Sequence, residues 1–413
     1  MKERTNKMSI LFFVILASQM FLPKSLNLVI VISVFAFLLL KNNFLIEIDF
    51  PGVTIYFIFL SLGMLIGIVG VTKNGHSSYS FFKHLYYFIM PILYWSIGSL
   101  ISVRERDINK IQRSIILVTT IYTIYDLINS FVIVLSANYN GLHQLRELIG
   151  AGSIYPILTI YFLLFYDNNE MEKKYVRIIL IISILSVAIH FSRTYLLELI
   201  IFVVFSGALK KQSKLLKIIM ISIIGIAVLY SMFPVYFNNF IEKILYSATE
   251  LKIEGTNWDY VSINNNWRGY ELYCELKHFK EAGFLEQLFG GGFGQTLDVY
   301  DYAYLVTNED RLIFLHNGYG TVLMIWGVVG VILYLAWGVK LYKCSNNICD
   351  KNGRNFLKGL SVVIMVVSYF IMGPFFSEGV AIYLFIFSLV YNNGKRIMDG
   401  GDADENSGSC CNL

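Results

Sequence analysis

Apolar residues fall into twelve runs along the chain, each closed by a short polar or basic segment: roughly 8–22, 25–40, 53–71, 84–103, 114–136, 152–166, 178–191, 195–209, 218–233, 318–339, 359–373 and 380–391. A helix that crosses a bilayer core about 30 Å thick needs about 20 apolar residues, and fewer where the protein thins the bilayer. The pattern predicts an all-α polytopic membrane protein with about 12 transmembrane helices. One long polar stretch separates the ninth run from the tenth. The predicted organisation is helices 1–9 over 1–233, a large extracytoplasmic loop over 234–317, helices 10–12 over 318–392, and a disordered Asp/Gly/Ser-rich tail over 393–413. The first run follows Lys2, Arg4 and Lys7, yet no small-residue cleavage site closes it, so no cleavable signal peptide is expected.

Composition sharpens this picture. Hydrophobic residues make up 56% of the chain and charged residues 15%, where about 25% charged is usual for a soluble domain. So few charges cannot cover a water-soluble surface, which excludes an ordinary soluble enzyme, a disordered chain and a coiled coil. With both termini placed in the cytoplasm, the inner segments hold 22 Lys and Arg. The short outer segments hold five: Lys24, Lys73, Lys83, Arg146 and Arg193. That asymmetry predicts the orientation, since cytoplasmic loops collect basic residues. The long loop carries six basic and twelve acidic residues, and a net acidic surface excludes nucleic acid as its partner. Cys274 is alone on the outer side, so no disulfide is expected.

Within the loop, Phe237, Phe240, Ile241, Ile244, Leu245, Ala248 and Leu251 recur at helical spacing and predict an amphipathic helix along the membrane surface. A second helical stretch, about 267–282, precedes a glycine run. Aromatic residues are dense here, among them Trp258, Trp267, Tyr270, Tyr273, Tyr300, Tyr302 and Tyr304. Their faces suit sugar rings, and equally suit a small domain packed on the membrane interface.

The candidate chemistry is sparse. Runs 178–191 and 195–209 lie between basic flanks and turn at Ser192-Arg193-Thr194, each arm about 15 residues, or about 22 Å, long. The turn should be recessed in the outer leaflet, where a guanidinium needs a partner. Glu198 or Asp126 would make it a structural ion pair, and an anionic ligand would make it a site. Arg146, ahead of the sixth run, and Arg268, beside Trp267, are further outer arginines, and the planar guanidinium fork matches phosphate oxygens. His316 opens the tenth run with Asn317 behind it. Histidine there suits either an interfacial residue or a general base that takes a hydroxyl proton. The run Gly290-Gly291-Gly292-Phe293-Gly294 lacks the Gly-Lys-Ser/Thr ending of a nucleotide loop and is read as a tight loop permitting close backbone approach. No cluster has metal-ligand spacing, so no cofactor is expected.

Taken in order, these pieces resemble the O-antigen polymerase and O-antigen ligase superfamily of bacterial envelope proteins. The matching features are Arg146 with Gly150 before a span and the Ser192-Arg193 turn, then Arg268 ahead of the glycine run, then His316-Asn317 with Gly327 and Gly330 down the next helix. Thr194 stands where glycine is common in the family. The resemblance spans about 146–335 and implies a glycosyltransferase of the bacterial cytoplasmic membrane, acting on undecaprenyl-diphosphate-linked oligosaccharides as donor and acceptor. It implies Arg193, Arg268 and Arg146 as diphosphate ligands and His316 as catalytic base, with Asn317, Ser192 and Trp267 in support. A flippase and a chain-length regulator are the protein partners it implies, and membrane lipid the surroundings. A polymerase of O-antigen or capsule repeats is the first expectation. A ligase delivering the chain to lipid A core is the second, and a polysaccharide flippase or other transporter the third. Against transport stand the absence of an internal repeat and the length of the loop.

Overall fold

A computed structural model describes residues 2–44, 50–73, 76–104, 108–136, 148, 154–165, 172–190, 192–206, 230–231, 258–305 and 309–401. Arg146, the amphipathic stretch 237–251 and the tail beyond 401 lie outside them. The described residues are predominantly helical, with one isolated antiparallel bridge, Leu297 to Leu312. In chain order these are α1 (Lys2–Phe21), α2 (Lys24–Lys41), α3 (Val53–Lys73), α4 (Ser78–Arg104), α5 (Ile108–Ser136), α6 (Tyr155–Phe165), α7 (Lys173–Ile189) and α8 (Arg193–Phe205). They continue as α9 (Tyr260–Asn265), α10 (Trp267–Glu281), α11 (Phe284–Phe289), α12 (Gly318–Cys344), α13 (Lys351–Phe370) and α14 (Glu378–Gly401).

Five of them, α2, α3, α4, α5 and α12, are long and apolar enough to cross a membrane. They turn Leu26, Val29, Leu65, Leu117, Ile128, Leu135 and Ile332 outward, a belt that suits lipid and that a water-soluble chain would bury. The protein is a multi-pass membrane protein. Five such helices among the described residues do not establish the expected count of twelve. The runs at 178–191 and 195–209 are helical, but α7 has 17 residues and α8 only 13. Those at 359–373 and 380–391 fall in α13 and α14, whose ends are charged. The run at 218–233 lies outside the described residues except for 230–231.

At the centre stands α14, buried on every side from Val380 to Asn393. It packs chiefly on α4 because α4 presents small residues there. A Cβ on Gly98 would come 2.8 Å from the Phe385 carbonyl oxygen, and Ser99 and Ser388 hydroxyls meet at 3.0 Å. Close backbone approach joined by hydroxyl bonds is how helices associate where lipid removes the hydrophobic drive. Asn27 of α2 ties the same pair together, donating to Tyr94 at 3.0 Å and to Glu378 at 2.9 Å.

The glycine run is not a surface loop. It enters the bundle between α3 and α12: Gly291 and Gly292 donate to the Met324 and Ile325 carbonyls, and Phe293 donates to Gly63. Gly63 is ten residues from the end of α3, so the loop descends about 15 Å. The two α12 carbonyls are available because Gly327 breaks the helix with a φ of 63°. The glycine run, read from sequence as a tight loop permitting close backbone approach, is a re-entrant segment between two helices of the bundle. Its backbone is satisfied by helix carbonyls, as buried backbone within a membrane must be.

Candidate active site

The loop residues that matter most are carried by α10. Asn266 caps it, its side chain accepting from the Gly269 amide at 3.0 Å. Its buried face comprises Gly269, Tyr270, Glu271, Cys274 and Glu275. Tyr270 anchors that face, its ring set edge-on to Trp258 and Tyr302 and tilted against Trp267, and its hydroxyl donates to the Val299 carbonyl. These aromatic rings pack mainly on one another and form the small core that holds α10 in place.

Glu271 accepts three hydrogen bonds. Trp267 Nε1 donates to Oε1 at 2.6 Å, the His316 backbone amide to Oε2 at 3.0 Å, and His316 Nδ1 lies 2.9 Å from Oε1. A carboxylate facing these donors fixes the hydrogen on Nδ1 and leaves Nε2 of a neutral ring with its lone pair outward. The Glu271 side chain is 2% exposed and that of His316 38%, so the carboxylate is hidden behind an imidazole that a substrate can reach. His316 is held from its other side as well. Asn317 caps α12 by accepting from the Gly320 amide, and Leu315 donates to the Thr321 hydroxyl. Asn317 thus acts on the helix end, and Trp267 acts on Glu271.

Nothing in the composition or motifs of the sequence singles out Glu271. In a net acidic loop one more glutamate draws no notice. The available signal was its position, four residues after Trp267 and one after Tyr270, on what becomes the buried stripe of a helix.

Arg268 lies in the first turn of α10, three residues before Glu271 and half-buried. Arg193 is the first residue of α8, also half-buried, with the buried Ser192 at the cap making no side-chain bond to the helix end. The packing of α8 shows where that end points. Phe202 stacks on Phe356, and a Cβ on Gly359 would touch Phe202 and Phe205, so the far end of α8 meets the first half of α13. Arg193, nine residues back and about 14 Å away, lies toward the C-terminal end of α13. There the Ile371 carbonyl accepts from Gly318 at 3.3 Å. Arg193, Arg268 and His316 therefore occupy the same end of the bundle. Arg146 lies outside the described residues.

Two further features border this end. His84, buried in α4, receives the Gly294 amide on Nδ1 at 2.9 Å and donates through Nε2 to the Ile313 carbonyl at 2.8 Å. It pins the re-entrant loop to the strand-like segment that leads to His316. Farther along α10, His278 lies 3.3 Å from Glu286, which raises the imidazole pKa and lowers that of the carboxyl. Glu275, three residues before His278, is 1% exposed and its Oε2 has no hydrogen-bond partner, so burial pushes its pKa up to about 7. Among the described residues no group of three or more His, Cys, Asp or Glu could hold a metal ion.

Comparison with known families matches residues 178–335 to the O-antigen ligase family. The matched stretch begins in α7 and ends in α12, and it contains Arg193, Arg268, Glu271 and His316. Comparison with curated proteins finds no match.

Proposed function

The O-antigen ligase family domain at residues 178–335 supports membership of the O-antigen polymerase and ligase superfamily, whose members are glycosyltransferase-like enzymes, and from that premise we propose a polysaccharide polymerase. It joins undecaprenyl-diphosphate-linked repeat units on the outer face of the cytoplasmic membrane. The observation that carries the reading is the Glu271–His316 pair, with a reachable imidazole at the bundle end that also carries Arg193 and Arg268.

The chemistry follows from those groups. A hydroxyl oxygen of the acceptor sugar attacks the anomeric carbon of the donor. His316 Nε2 takes the hydroxyl proton, and Glu271 stabilises the imidazolium that forms. The bond from the anomeric carbon to the diphosphate oxygen breaks, and the lipid diphosphate leaves with its electron pair. Attack opposite the leaving group inverts the anomeric configuration. Arg268 and Arg193, with Arg146 in support, neutralise the charge that grows on the leaving oxygen. The N-terminal amides of α8 add to this, since a helix N-terminus favours an anion. The outer compartment lacks nucleotide sugars, so the driving force resides in the donor diphosphate.

The same donor half would serve a ligase, which differs in its acceptor. Purified protein in liposomes, given lipid-linked repeat units without ATP, separates the readings. A ladder of lengthened lipid-linked chains, abolished by His316→Ala, is the polymerase result. Transfer only to a lipid A core acceptor would replace it with the ligase. Movement of substrate across the bilayer with no new glycosidic bond would overturn both.

A further inference from the structure

The spans contain a buried ionisable pair that the scheme above does not use. Asp126, deep in α5 and 8% exposed, accepts from Ser186 Oγ at 2.7 Å and lies 2.8 Å from His190 Nε2. His190, 3% exposed, is the residue that ends α7. Ser192 and Arg193, two and three residues on, open α8. Ionisable groups at this depth are costly and persist where they are paired and serve a purpose.

The lengths of the elements indicate the purpose. At 1.5 Å per residue α7 and α8 reach about 25 and 20 Å, too short to span the core, so neither sets the depth of the turn between them. α5, with 29 residues, spans it with length to spare. Asp126 ties the last turn of α7 to that post through two bonds from residues four apart on one helix face. A guanidinium that must meet a phosphate group needs its depth fixed to within an ångström or so.

We propose that Asp126 and His190 are positioning residues for Arg193, holding the α7–α8 turn at the depth where its guanidinium meets the diphosphate of the lipid-linked donor. The inference rests on the reading of Arg193 as a donor ligand. It assigns Asp126 neither to a transport pathway nor to the chemical step.

A double-mutant cycle in the reconstituted lengthening assay tests it, with donor and acceptor varied separately. Asp126→Ala should lower kcat/KM for the donor about tenfold, through donor KM and kcat together because the guanidinium acts on the departing diphosphate, while the acceptor KM stays within about twofold. Asp126→Asn keeps an acceptor oxygen for Ser186 and His190 and should recover most of the loss. In an Arg193→Ala background Asp126→Ala should add less than about twofold, because its target is gone. A full multiplicative effect in that background, or equal rises in the donor and acceptor KM, would overturn the inference in favour of general helix packing. Should Asp126→Ala fail to insert, Ser186→Ala removes one of the two bonds and completes the same cycle. If Arg193→Ala leaves kcat/KM for the donor unchanged, the reading of Arg193 fails and this inference with it. That result is distinct from an impaired Arg193→Ala to which Asp126 is uncoupled.

Discussion

A buried carboxylate that already accepts three hydrogen bonds is committed to holding its donors, and Glu271 holds the imidazole and backbone of His316 together with the Trp267 indole. Glu271→Gln tests that role with almost no change of shape. One amide oxygen cannot replace two carboxylate oxygens. Placed to accept from Nδ1–H and the indole, it turns the NH2 group on the His316 backbone amide; flipped, it turns the NH2 group on Nδ1–H and the indole. In either pose a neutral amide stabilises the imidazolium less than a carboxylate does. A fall in kcat of about 10²- to 10⁴-fold with unchanged donor KM is expected in the lengthening assay. Activity within about threefold of the parent would remove Glu271 from the mechanism. One turn along the helix, Glu275 predicts a pH effect of opposite character. Its folded pKa of about 7 lies above the ordinary 4.5, so the folded state binds the proton more tightly and stability declines as pH rises from about 4.5 through 7. Glu275→Gln should therefore raise the melting temperature in detergent at pH 8, by at most about 3 kcal/mol of stability, and have no effect at pH 4. A larger gain at acid pH than at alkaline pH would contradict the burial of an unpartnered carboxyl.

At the scale of elements, the re-entrant loop depends on glycines in helices it does not belong to. A Cβ on Gly67 of α3 would lie 2.4 Å from the Phe293 carbonyl oxygen, and one on Gly327 of α12 the same distance from the Leu288 carbonyl carbon. Neither can be relieved by a side-chain rotation, because backbone is what they strike. Gly67→Ala should cost about 2 kcal/mol or more, read as a lower melting temperature and faster proteolysis within 284–297, whereas Ala at the open position Gly283 should be tolerated. Equal stability of the two variants would contradict the insertion of the loop. This element also marks the limit of what the sequence reveals. Long apolar runs identify α2, α3, α4, α5 and α12, because continuous hydrophobicity is a local property. A glycine run has neither periodicity nor side chains, so its partners, carbonyls freed by a break 30 residues later and a smooth patch on α3, leave no local trace. Likewise the Ser192-Arg193 turn was legible from its basic flanks and short arms. The pairing of Asp126 with His190 was not, being a contact across 64 residues.

For the whole molecule, the charge pattern and the site make a joint claim about orientation. His316, Arg268 and Arg193 share one end of the bundle, and the long segment that carries α9 to α11 attaches there. The other end receives the connection between α12 and α13, with Lys340, Lys343, Lys351, Arg354 and Lys358 along it. If basic residues mark the cytoplasmic side, the candidate site opens outward, toward lipid-linked sugars already translocated. Single cysteines in a cysteine-free background test this directly with a membrane-impermeant maleimide on intact cells. Tyr304, 65% exposed and two residues after Tyr302, which packs on Tyr270 of α10, should label as Tyr304→Cys without permeabilisation. Asn352, at the start of α13, should label as Asn352→Cys only after it. The reverse pattern would place the dyad in the cytoplasm. There nucleotide sugars are at hand, the case for a lipid-diphosphate donor loses its physical ground, and the basic end would face a compartment it should avoid. Orientation therefore bears on the substrate as well as the topology, because it decides which activated sugar can reach His316.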